Sequence, residues 1–157
     1  MRALSSAIFL VVLGATGAAA ANADLAAPIH QFVDNFNKGD IKTAEAAHSA
    51  TGLVIIDEMP PYQWQGPGAF KSWLDDLTKY DAAGGVTDGH LALGEVIREE
   101  SSGDHAYVVM TAVFSFKAKG TPMREAAQMT FALRKEAPGW RIGGWTFAGS
   151  KPTPGNP

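Results

Sequence analysis

Residues 105–116 read His-Ala-Tyr-Val-Val-Met-Thr-Ala-Val-Phe-Ser-Phe, and their alternation decides the fold. Ala106, Val108, Met110, Ala112, Phe114 and Phe116 share one face of an extended chain, while His105, Tyr107, Thr111 and Ser115 share the other, because strand side chains alternate with period two. A strand with one apolar and one mixed face belongs to an antiparallel sheet that lays one side on a core. The next segment repeats the pattern, with Met129, Phe131 and Leu133 opposite Gln128, Thr130 and Arg134. Between His90 and Ala148 there are four such segments. Turn-forming Ser101-Ser102-Gly103-Asp104, Lys119-Gly120-Thr121-Pro122 and Ala137-Pro138-Gly139 separate them, so they read as consecutive antiparallel strands. The mixed outer face has the character of a solvent surface or a dimer interface.

The period changes upstream. Ile29, Phe32, Val33 and Phe36 form one helical stripe, predicting a helix from near Pro28 to a left-handed stop at Gly39. Asp40 then caps a short second helix with Ala44, Ala47 and His48 on its inner side. After Pro67-Gly68, the spacing of Phe70, Trp73, Leu74 and Leu77 predicts a third helix ending at Gly84-Gly85. One apolar strand, Leu53 to Asp57, interrupts the helices. The order predicts an α+β domain in which three N-terminal helices are covered by a curved, mainly antiparallel sheet.

The ends of the chain read differently. Arg2, the apolar run Ala7 to Leu13 and an alanine-rich stretch ending Ala21-Asn22-Ala23 have the order of a signal peptide, so residues 1–23 are expected to be removed near Ala23 and the product to be periplasmic or secreted. The apolar run is far short of the roughly 20 residues that cross a bilayer. With no cysteine, disulfides, thiolate metal sites and a lipidated cysteine are excluded. Removing residues 1–23 takes one base, Arg2, and no acid from a chain of net charge −3. A mildly acidic product without a basic cluster argues against nucleic acid or an anionic membrane as partner. Residues 24–149 are expected to form one domain. The proline-rich segment 150–157 is expected to be a flexible tail.

Several motifs together resemble a known family. A helix ends in Asn37-Lys38-Gly39-Asp40, a strand ends in Asp57, and a proline-rich loop runs to Gly66. A helix then carries Phe70 and Trp73, and Gly103-Asp104-His105-Ala106 and Gly139-Trp140-Arg141-Ile142 follow. Over residues 26–149 this resembles the SnoaL-like branch of the nuclear transport factor 2-like superfamily. The resemblance implies a cone-shaped α+β barrel with an interior pocket, commonly in a homodimer. It implies no single activity, since the scaffold serves isomerases, cyclases, dehydratases and binding modules.

Asp57 is the leading candidate for chemistry. Its spacing from Gly66 resembles the proton-moving aspartate of ketosteroid isomerases, and poor solvation would raise its pKa toward that of a useful base. The competing reading is a strand-end aspartate that caps the turn at Met59-Pro60-Pro61. The isomerase pattern is incomplete, because Phe32 stands where a tyrosine donor would be and the second donor's position falls near Met129 or Thr130. His48 is a candidate partner for Asp57, against the alternative of a histidine bonded to backbone carbonyls. Tyr62 and Trp64 are read as a lid or as packing at the sheet edge, and Trp73, Met110 and Phe131 as the interior lining. No histidine spacing suggests a metal, and no phosphate loop or nucleophile motif suggests a cofactor. Three functions follow: a binder of a small hydrophobic molecule, a proton-transfer enzyme using Asp57, and a homodimeric assembly module without a ligand.

Overall fold

The computed structural model describes residues 22–155; the expected signal segment lies almost entirely outside the described residues. Helix α1 spans Ala23–Asn37 and starts five residues before the expected Pro28. Asn22 caps it, its side chain accepting from Asp24 N, and Leu25 extends the buried stripe of Ile29, Phe32 and Val33. The proline within the helix removes a single N–H, a loss that the cap and the added apolar contact outweigh. Gly39, at φ 75°, turns the chain out of the helix. Asp40 then caps α2 (Ile41–Glu45) by accepting from both the amide and the hydroxyl of Thr43. Helix α3 spans Ala69–Gly84 and buries Ala69, Phe70 and Trp73.

The sheet is built from β1 (Val54–Ile56), β2 (Gln63–Gln65), β3 (Val86–Ser102), β4 (His105–Ala118), β5 (Thr121–Glu136), β6 (Gly139–Gly149) and β7 (Thr153–Pro154). Its order is β2-β1-β6-β5-β4-β3, with β7 added to the free end of β5. All pairings are antiparallel except β1 with β6. The curved, open sheet wraps the three helices in a cone, the expected α+β class.

The tail is not free. Thr153 and Pro154 pair with Arg124 and Met123, and the amides of Ser150 and Gly155 donate to Ala126 and Pro122. Proline is tolerated there because β7 is an edge strand with no further neighbour to serve. Gly143 and Gly144 produce a bulge in the β5–β6 ladder and a close approach of β1. A Cβ at Gly144 would stand 2.9 Å from the carbonyl oxygen of Val54.

Aromatic rings fill the space beneath the sheet. Phe32 stacks on Trp145 at 5.5 Å, Trp145 meets Trp73 at 5.1 Å, and Phe70 meets Trp73 at 5.5 Å. Met110, Phe131 and Trp73, expected to line a pocket, are packed in this cluster with at most 4% of their surface exposed.

Candidate functional site

Asp57 leaves the end of β1, and its backbone amide donates to the carbonyl of Tyr62, which folds residues 57–62 into a tight loop. Its carboxylate is half-buried and fully engaged. Oδ2 accepts from the Trp73 indole N–H at 2.7 Å, and Oδ1 accepts from the Glu58 amide at 2.7 Å. Burial raises its pKa above the ordinary carboxylate range, and these two hydrogen bonds pull the other way.

A second acid faces the same place. Along β5 the inward positions are Glu125, Ala127, Met129, Phe131 and Leu133, and Glu125 is only 2% exposed. Burial, and then the charge of Glu58, push its pKa up to about 8, and it shares a hydrogen bond with the Glu58 carboxyl. Both members of the pair are thus shifted toward holding a proton, Glu125 the further of the two. Its Oε1 is buried without a hydrogen-bond partner and lies directly against Gly149. Asp81 of α3 joins the group, its pKa raised by burial and by the charge of Asp57. Four carboxyl groups from the β1 exit, β5 and α3 thus converge at the rim of the cone. No cation is among the influences on these four acids. The described residues hold no cluster of three or more side chains suited to a metal ion.

Glu125 is not among the residues expected from the sequence: the second donor's position falls near Met129 or Thr130, whereas the acid lies four residues earlier on the same face. Period-two alternation was the available signal, because stepping back from Met129 through Ala127 lands on Glu125.

His48 and Asp57 are not brought together. Nδ1 of His48 bonds the carbonyl of Ala44 at 3.1 Å and lies 3.3 Å from that of Glu45, and Nε2 accepts from the Trp145 indole at 3.2 Å. Burial pushes its pKa down to about 4, so the ring is neutral with both nitrogens in use. This is the histidine bonded to backbone carbonyls. Trp64 is buried and donates its indole N–H to Asp76, while Tyr62 stays 57% exposed at the loop tip. The proposed lid residues therefore divide, with Trp64 in the packing and Tyr62 at the rim.

Two cavities stand out among the described residues. One, of about 470 Å³, is a wide hollow lined by Pro60, Pro61, Asp76, Lys79 and Tyr80, on the flank of the loop that carries Asp57 and Glu58. The other lies on the outer face of the sheet.

Comparison with solved structures shows the same fold at low identity. A ketosteroid isomerase-like protein from Erwinia carotovora atroseptica is 23% identical, with a TM-score of 0.64 over 83% of this chain and 96% of that one. A nuclear transport factor 2-like superfamily protein from Salmonella enterica serovar Typhimurium is 14% identical, with a TM-score of 0.63 over 83% and 88%. LinA is 13% identical, with a TM-score of 0.65 over 83% and 84%. No curated protein matches the chain. The model of the SnoaL-like domain matches residues 19–147, and the chain belongs to that family.

Proposed function

We propose that the chain binds a small, largely apolar molecule at the rim of the cone, beside Asp57, and exchanges a proton with it. The observation that carries this reading is the convergence of Asp57 with the buried carboxyl of Glu125, whose pKa is pushed up by burial and by the charge of Glu58. Two acids held in different charge states at one site are the arrangement by which a protein sets out a base and an acid. Asp57 accepts a proton from carbon, and the Glu125–Glu58 pair supplies the hydrogen-bonding proton that the position of Phe32 cannot. The Pro60-Pro61 hollow offers the apolar contact.

The test is hydrogen–deuterium exchange at the carbon next to the carbonyl of cyclohexanone in D₂O, followed by NMR. Exchange above the buffer rate is expected to fall by ~100-fold or more in Asp57→Asn. Exchange at the buffer rate in the native protein, with no shift of the Trp73 indole N–H on adding ketone, would remove the reading.

We also infer that the chain is exported as a homodimer. The charge, apolar and small-residue order of residues 1–23 supports export. Exposed Ile97 and Tyr107 on the outer face support the dimer. Asn22 caps α1, and its amide donates to both oxygens of Glu99 at 3.2 and 3.1 Å, which favours a cut after Ala21 over one after Ala23. The intact mass of the exported protein reads the site of the cut.

A further inference from the structure

A second site lies on the outer face of the sheet, where a half-enclosed cavity of about 420 Å³ opens between the ends of β3, β4 and β5. A bulge in β3 creates it. Thr87 pairs with Lys117 and His90 with Ser115, so β3 carries one residue more than β4 across this step. Asp88 takes a positive φ of 56° there, and Gly89 lies against Phe114, whose ring carbons would be 3.2 Å from any Cβ. Bulges of this kind redirect side chains and gather beside functional sites.

The wall is apolar and the rim is cationic. Val113, Phe116 and Pro122 supply apolar surface, and Lys117, Arg124 and Asp88 supply the charge. Val113, Lys117 and Arg124 are out of phase with inward-facing Ala112 and Glu125, while Phe116, in phase with Ala112, contributes near the end of β4; the lining shares no residue with the rim site. Asp88 holds the Lys117 ammonium at 2.8 Å. The Arg124 guanidinium enters no ion pair among the described residues. A planar fork of donors left free above an apolar wall matches a carboxylate that carries a hydrocarbon chain. The volume is within the range of sites for small organic ligands. A second copy related by a twofold axis through the cavity would set Lys117 and Arg124 against their own counterparts, which like-charge repulsion opposes.

We propose that this cavity binds a small amphipathic anion, an alkyl monocarboxylate, with its head on Arg124 and its chain along Val113, Phe116 and Pro122. The site is independent of the proton-exchange reading. Its test is calorimetric and NMR titration of the full chain with octanoate, octanol and octylamine. Octanoate is expected to bind about tenfold or more tightly than octanol, from one charge-assisted pair. Amide shifts should appear at Val113 and Lys117, and the Trp64 and Trp73 indole signals should stay in place. Arg124→Gln should erase the preference for octanoate while leaving octanol binding and the far-UV spectrum unchanged, and Arg124→Lys should keep part of it. Octanol binding as tightly as octanoate, shifts at the two indoles instead, or no saturable octanoate binding would each overturn the proposal.

Discussion

Replacing Glu125 with glutamine gives the sharpest test of how the rim is built. In an unfolded chain Glu125 loses its proton near 4.5, but in the folded protein it keeps it up to about 8. Between those values the native state binds one proton more than the unfolded state, so stability falls as pH rises across the window and levels off above it. At 1.36 kcal/mol per unit the shift caps this loss at about 5 kcal/mol. Its partner Glu58 is exposed, however, so water screens the pair, and we expect about a third of the ceiling, ~1.5 kcal/mol. Glutamine has the same shape and no proton to lose. Glu125→Gln should therefore match the native protein near pH 4.5 and exceed it by about 4–6 °C in Tm at pH 8.5. His48 has the opposite dependence, since burial lowers its pKa and stability is lost as pH falls from 6.5 toward 4. That contribution is common to both proteins and cancels in their difference. Calorimetric melts from pH 4.5 to 9 measure the difference curve. A difference that stays flat, or a variant less stable than the native protein at pH 8.5, would refute the assignment of a proton to Glu125.

Three further outcomes follow from single contacts. His48→Ala opens a hole beside Phe32 and strands the Trp145 indole, which should cost ~2–4 kcal/mol in urea denaturation and remove the fall in stability between pH 6.5 and 4. Gly149→Ala places a methyl group onto the Glu125 carboxyl and within 2.8 Å of a Phe147 ring carbon, at a cost of ~1–3 kcal/mol; the cost should shrink in the double variant with Glu125→Ala, as a double-mutant cycle would read. Deleting residues 150–157 removes the β7 pairing and the Ser150 and Gly155 hydrogen bonds, and should lower stability by ~1–2 kcal/mol without changing the far-UV spectrum outside the strand contribution.

The sheet and helices were legible because each buries one face and the sequence repeats at the matching period. The alternation in 105–116 located β4, and Gly39 and Gly85 ended helices through the positive φ that glycine accepts. What escaped depended on pairings between distant segments. The start of α1 was set at Pro28 by local rules, but Asn22 and Leu25 extend the helix backward once Leu25 has a core to enter. The tail reads as loop because two residues of strand carry no periodicity. They pair only because β5 reaches past the end of β6 and leaves Met123 and Arg124 open. The cavity on the outer face arises from a one-residue offset between β3 and β4, which no single strand encodes. At the rim, Asp57 was legible from its place at the end of an apolar strand, whereas Trp73, Met110 and Phe131, expected to line a pocket beneath it, are packed in the core. Seven or more large side chains at core positions say that an interior exists, but only their mutual packing decides whether any space remains.

Glu125 changes what the absence of a donor at Phe32 means. A site with Asp57 alone would be a base facing an apolar wall, with nothing to stabilise the negative charge that develops when a proton leaves carbon. Burying an acid on the core face of β5 beside two others is costly in isolation, and the cost is reduced only by keeping Glu125 protonated. Protonation makes it a donor, the role that an ionised carboxylate cannot fill. The hydrogen bond it shares with Glu58 and the charge of Glu58 hold that proton on Glu125, since giving it up would leave two adjoining carboxylates, so Glu125 serves as a hydrogen-bond donor to a ligand oxygen and keeps its proton. On the proposed reading, proton exchange at this rim requires Asp57 ionised and Glu125 neutral at the same pH, so it should be lost at high pH as Glu125 gives up the proton that burial and the charge of Glu58 hold on it.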